Sequence, residues 1–133
     1  MFAPICLFVF DRPFHTERVL CSLAENVESK NSILYIYSDG IPENCTKERL
    51  DNIILTRKII SNEKRFKEVN ITFRNKNLGL SYSLINGISE VCEKHGKIIA
   101  CTQTPNNLFY IKDILQEYPH AKVINMVRDN RDV

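Results

Sequence analysis

Leu34-Tyr35-Ile36-Tyr37-Ser38-Asp39-Gly40 is the stretch on which the reading of this chain turns. A short apolar and aromatic run ends abruptly in an acid and a glycine, with Pro42 close behind. Runs of this length, rich in Ile and Tyr and closed by Gly and Pro, form buried strands. Asp39 is then expected at the carboxyl end of a strand, where open α/β sheets place their ligands. A carboxylate there accepts hydrogen bonds from ribose hydroxyls or a base N–H. The adjoining Gly40 lets a ligand approach the backbone. On spacing alone, Asp39-Gly40 also reads as a plain turn.

Working outward, Pro4 to Phe10 is a nearly continuous apolar strand, as expected when helices cover both faces of a sheet. Asp11-Arg12-Pro13 breaks it. A helix follows from about Phe14 to Asn26, with Val19, Leu20, Leu23, Ala24 and Val27 on one stripe. After the strand Ile33 to Ser38, Thr46 caps a second helix that runs to about Ile60 and is buried through Leu50, Ile53, Ile54 and Ile60. Phe66 anchors the polar connection from Ser61 to Lys67. Val69 to Arg74 alternates apolar and polar residues and reads as a third strand. Asn75-Lys76-Asn77-Leu78-Gly79 is a turn. A third helix carries Leu84, Ile85, Ile88, Val91 and Cys92 inward and stops at Gly96. Lys97 to Cys101 is a fourth strand, Pro105 to Tyr118 a further helix and Ala121 to Val127 a fifth strand. Strands separated by helices of this length imply crossover connections and a mainly parallel sheet. The fold class is α/β: a three-layer, Rossmann-like single domain with helices on both faces.

Length and composition narrow the function classes. With 133 residues and 44% hydrophobic content, the chain has room for one cored domain. A net charge of +2 and a pI near 8.3, with basic residues scattered, exclude a nucleic-acid footprint. Ile5 to Phe10 is too short to span a bilayer and runs straight into Asp11-Arg12. Five cysteines without a CxxC pair suit free thiols in a reducing cytoplasm, not a zinc site. His15, His95 and His120 lack partners at metal-ligand spacing and read as surface residues. Ser38, Ser81 and Ser83 lack a nucleophile elbow. Glu48, Asp51 and Glu63-Lys64-Arg65 read as solvated charge, and Asp129 and Asp132 as partners for Arg128 or Arg131.

Three blocks, Pro4 through Pro13, Tyr35 through Gly40, and Arg74-Asn75-Lys76-Asn77-Leu78-Gly79-Leu80 with Asn86-Gly87-Ile88, make residues 3–100 resemble a glycosyltransferase. The resemblance is to the nucleotide-sugar-binding half of a family 2-like enzyme with the GT-A fold. It implies that Phe10 and Asp11 line a base pocket and that Asp39 binds base or ribose. It lays the Asn77–Gly79 turn along the nucleotide of a UDP-type sugar and turns Arg12 toward phosphate or solvent. Many relatives have Asn where this chain has Asp11. The family also expects a DxD-type cluster holding Mn²⁺ or Mg²⁺ against the leaving diphosphate. Here Cys101-Thr102-Gln103-Thr104 carries no acid, so the metal ligands are missing and no catalytic residue is assigned. A complete enzyme of this kind needs roughly twice this length.

From Thr104 onward a second resemblance takes over. Thr104-Pro105-Asn106-Asn107, the helix to Tyr118 and the run from Pro119 to Asp129 look like the middle of a sulfotransferase. In that family the strand ending in Arg-Asp-Pro-Arg-Asp-Val delivers an Arg to the 3′-phosphate of the sulfate donor. This chain reads Arg128-Asp129-Asn130-Arg131-Asp132-Val133, with Asn130 in place of the proline. A guanidinium fork at a strand end matches phosphate bidentately. Residues 1–100 contain no Gly/Ser/Thr-rich phosphate loop. Together the two resemblances describe a joined chain with a junction near Ile99–Thr102. The leading expectation is a truncated glycosyltransferase-like domain that binds a nucleotide-diphosphate sugar. The alternatives are a sulfotransferase-related fragment acting through Arg128 and a non-enzymatic remnant that self-associates through its open sheet edge.

Overall fold

The computed structural model describes residues 2–101 and, beyond them, Lys112 and Gln116, both helical and exposed. The chain divides into two units, Met1–Gln103 and Thr104–Val133, and every element named here belongs to the first. The helix expected from Pro105 and the strand expected from Ala121, with Arg128 after it, lie outside the described residues.

The apolar run Ile5–Val9 forms β1, buried along its whole length. Pro13–Ala24 is α1, with proline in the first turn, where its missing N–H costs nothing. A short 3-10 helix, Val27–Asn31, leads into β2, Ile33–Ser38. Then come α2 (Lys47–Ser61), β3 (Glu68–Phe73), α3 (Leu80–His95) and β4 (Ile99–Cys101). All neighbouring strands are parallel, in the order β3-β2-β1-β4. Ile5 pairs with both Leu34 and Ile99, so β1 is an inner strand, and the order reverses beside it.

The period of two along each strand sorts side chains onto two faces. Ile5, Leu7, Val9, Leu34 and Ile36 pack with Leu20 of α1, Ile60 of α2 and Phe66. Each fully buried Leu or Ile contributes about 2 kcal/mol. On the opposite face Phe8 stacks on Tyr37 with ring centroids 5.4 Å apart. Gly87 of α3 meets that pair so closely that a Cβ there would come within 2.6 Å of the Phe8 ring. The sheet therefore lies between α1 and α2 on one side and α3 on the other. This is the three-layer α/β arrangement expected from the sequence.

Local signals behaved as read. Thr46 Oγ1 accepts from Arg49 N at 3.2 Å and caps α2. Gly96 ends α3 in the left-handed region, φ 71°, with its N–H on Cys92 O. The differences have identifiable causes. The first helix ends at Ala24 because Asn26 Nδ2 donates to Ser22 O and Leu23 O, and Ser29 Oγ donates to Ala24 O. Val27 thereby leaves the helical stripe and is 86% exposed. On α2 the inward stripe is Ile53, Thr56 and Ile60, so Ile54, one residue out of phase, is 54% exposed. On α3, Ser83 and Gly87 face inward, and Ile85 is exposed.

Glu63 was expected to be solvated, yet its side chain is only 1% exposed. Burial raises the pKa of this carboxyl, but hydrogen bonds from the Arg65 guanidinium and backbone outweigh it and hold the group below the usual carboxylate range. His95, expected at the surface, is half-buried and shares a 2.8 Å hydrogen bond with Tyr35 Oη.

Candidate functional site

The carboxyl ends of β1 and β2 carry most of the residues singled out in the sequence, and the structure treats the two ends differently. At the end of β2, Asp39 is 8% exposed and its carboxylate accepts three backbone N–H bonds. Oδ1 takes Gly40 N at 2.8 Å and Leu78 N at 2.9 Å, and Oδ2 takes Gly79 N at 3.1 Å. Asn77 Nδ2 donates back to Gly40 O at 2.7 Å. Gly40 has no room for a side chain: a Cβ would overlap the Lys76 carbonyl and lie 2.5 Å from Asn77 N. Gly79, at φ 76°, turns the chain into α3, and the Leu78 and Gly79 amides that the carboxylate holds belong to the turn just before that helix. Asp39, Gly40, Asn77 and Gly79 thus hold one turn against the end of one strand.

Arg57 of α2 secures the same corner from the other face. Its Nε donates to Ser38 Oγ at 3.1 Å, and its Nη2 to Asp39 O at 2.8 Å and Arg74 O at 3.2 Å. Its guanidinium also lies 5.3 Å from the Phe73 ring centroid, covering an aromatic that the edge strand leaves exposed. Arg57 went unnoticed in the sequence. Its spacing, four residues after Ile53 and three before Ile60, places it on the inward stripe and was the available signal.

Arg74, the residue after β3, shares the parity of Thr72, which pairs with Tyr37. Its guanidinium lies 5.2 Å from the Tyr37 ring centroid. Arg74 Nε, Arg74 Nη2 and Tyr37 Oη are buried and have no hydrogen-bond partner among the described residues. Leaving one such group unpaired costs roughly 1–3 kcal/mol. Burial, and after it the Glu90 carboxylate, push the Tyr37 phenol above its ordinary pKa, so it remains a donor across the physiological range.

At the end of β1 the picture is looser. Asp11 Oδ2 lies 2.8 Å from Arg49 Nε in a solvent-accessible pair. The same guanidinium sits 5.1 Å from the Phe10 ring centroid. Arg12 occupies the N-cap of α1 with its side chain exposed, and no side chain caps that helix. The structure therefore brings Phe10 and Asp11 together through Arg49, and Asp39, Asn77 and Gly79 together through hydrogen bonds. A hollow of about 290 Å³ between Glu17 and Arg65 and an apolar one of about 280 Å³ between Phe2 and Ile99 lie away from both strand ends. Among the described residues no cluster of His, Cys, Asp or Glu could hold a metal. No helix among them is long and apolar enough to cross a membrane.

Comparison with known proteins decides between the two resemblances. The model of the family described as "Sulfotransferase family" matches residues 26–133. No curated protein and no solved structure matches. The match begins before β2, not at the supposed junction near Ile99–Thr102, and takes in the second and third blocks that suggested a glycosyltransferase of the GT-A type. The GT-A glycosyltransferase reading is corrected accordingly. Those blocks have a physical explanation in the fold itself. Asp39, Gly40, Asn77 and Gly79 build a turn clamp, and Gly87 allows close packing on Phe8 and Tyr37.

Proposed function

The chain belongs to the sulfotransferase family, and on that premise we propose that it binds a nucleotide-type sulfate donor by its 3′-phosphate, with Arg128 as the ligand. The observation that carries this is the segment Met126-Val127-Arg128-Asp129-Asn130-Arg131, which falls within the matched range. Its resemblance to the family's strand-end arginine is the resemblance stated above. A guanidinium offers phosphate two parallel charge-assisted hydrogen bonds, which fix orientation as well as contributing affinity.

If the chain turns over, the reaction is transfer of a sulfuryl group from donor to an acceptor, with the bisphosphate nucleotide leaving. Such a transfer is driven by positioning and by donors aimed at developing negative charge, so no metal ion enters the proposal. Arg12 is consistent with an anionic ligand. It is an exposed cation at the uncapped N-terminus of α1, next to the point where strand order reverses.

The test is thermal denaturation of the full chain with adenosine 3′,5′-bisphosphate. At a hundred times its dissociation constant a ligand stabilises the folded state by about 2.7 kcal/mol. The expected result is an upward shift that EDTA leaves unchanged and that Arg128→Ala abolishes. A shift that persists in Arg128→Ala, or no shift at all, sinks the proposal.

A further inference from the structure

Among the described residues β3 ends the sheet. It pairs with β2 alone, and its six residues keep one register throughout, without a bulge. Native edges are blunted by shortness, proline, charge within the strand or a bulge. β4, at the opposite end, is three residues long. β3 carries a single charge, Glu68 at its start, and Val69-Asn70-Ile71-Thr72-Phe73 is uncharged and free of proline. Arg74 N–H donates to Ser38 O at 3.0 Å. Alternate residues of a parallel strand turn their backbone groups to the same neighbour, so Asn70, Thr72 and Arg74 serve β2. The N–H and C=O groups of Val69, Ile71 and Phe73 then point away from the sheet. Phe73 is 42% exposed there, and Ile54, three residues before the Arg57 that lies over the Phe73 ring, is 54% exposed.

The side chains of this edge specify what can cover it. Across a two-fold axis through Ile71 the strand meets a second copy of itself antiparallel. Val69 then opposes Phe73, Asn70 opposes Thr72 and Glu68 opposes Arg74. The three outward residues exchange ladder hydrogen bonds, an aliphatic side chain meets an aromatic one, and unlike charges face each other at both ends. Asn70 Nδ2 holds the Glu68 carboxylate at 2.9 Å, on the face that Arg74 shares by parity. From Glu68 to Arg74 no like charges meet. A foreign strand would have to supply this pattern, whereas a second copy carries it, and such self-complementarity is what a two-fold interface requires. We propose that β3 is a homodimer interface that joins two four-stranded sheets into one, independently of donor binding through Arg128.

The test is sedimentation velocity of the full chain from low micromolar to millimolar concentration, with amide exchange followed by NMR over the same range. A reversible shift from the 15.5 kDa chain to a species of twice that mass is expected. As it forms, the amides of Val69, Ile71 and Phe73 are expected to gain protection, while those of Asn70, Thr72 and Arg74 change little. Glu68 is exposed, so Glu68→Lys leaves the fold intact and sets like charges opposite each other twice. It is expected to weaken the dimer roughly tenfold. Glu93→Lys, the same charge change on the exposed surface of α3, is expected to leave the dimer unchanged. A monomer at every concentration overturns the interface, as does a dimer that leaves the three outward amides unprotected. Protection of those amides at all concentrations would show the edge covered within one chain, and that refutes the proposal too. If Glu68→Lys weakens association no more than Glu93→Lys, the pairing centred on Ile71 is wrong.

Discussion

The ends of β1 and β2 are built from similar residues and reach opposite results. Each strand runs into an acid, Asp11 after one and Asp39 after the other. Asp39 is nearly buried and satisfied by three backbone amides, two of them from the turn at Leu78 and Gly79. Asp11 meets a single flexible cation, Arg49, at the surface. The difference lies in what the topology returns to each strand end. Beyond β1 the chain enters α1 at once through Pro13. Beyond β2 it makes a full excursion through α2 and β3 before the 75–79 turn folds back onto the strand. An acid at a strand end thus becomes structural or available according to which backbone donors the crossover brings home.

That contrast can be tested in stages. Gly40→Ala should have the largest effect, because the new Cβ collides with backbone of Lys76 and Asn77 that Asp39 holds in place. A loss of about 3 kcal/mol is expected in urea denaturation. A loss under about 1 kcal/mol would mean that the turn yields easily and that the clamp is weak. Asp39→Asn keeps the shape and one acceptor oxygen but removes the charge that three amides share. It should cost about 2 kcal/mol and raise amide exchange at Leu78 and Gly79. Asp11→Asn should be nearly silent, within about 0.5 kcal/mol, as for other exposed ion pairs. If Asp11→Asn costs as much as Asp39→Asn, the distinction between the two strand ends collapses.

How much of this was legible in the sequence depends on the range of the forces involved. The strand Ile33–Ser38, the Thr46 cap and the Gly96 stop are local events, decided within one turn or one pleat. The inward stripes were harder, because Ile54 and Ile85 are apolar yet lie one residue out of phase with the residues that reach the sheet. The partners of Asp39 lie about forty residues on, and no periodicity predicts that an acid will meet the amides of a particular distant turn. The same applies to Arg74, which local pattern marks only as the polar end of an edge strand. The sulfotransferase resemblance read from residues 104–133 agrees with the family match, whereas the glycosyltransferase assignment failed for a related reason. Asp39-Gly40 and Asn77-Leu78-Gly79 do keep a fixed relation to each other, but that relation is a packing contact, and the sequence offered a ligand as its first explanation.

The inner position of β1 has a consequence for how the chain is made. Ile5 leaves the ribosome long before Ile99, its partner on β4. At typical elongation rates of 5–20 residues per second, one edge of β1 waits roughly 5–20 s for its neighbour. During that interval Ile5–Val9 is an uncharged apolar strand with an open hydrogen-bonding edge, the kind of segment that recruits other nascent chains. Asp11, Arg12 and Pro13, immediately downstream, are the residue types that discourage such pairing. Whatever they contribute to the finished fold, they also guard it while it is being synthesised.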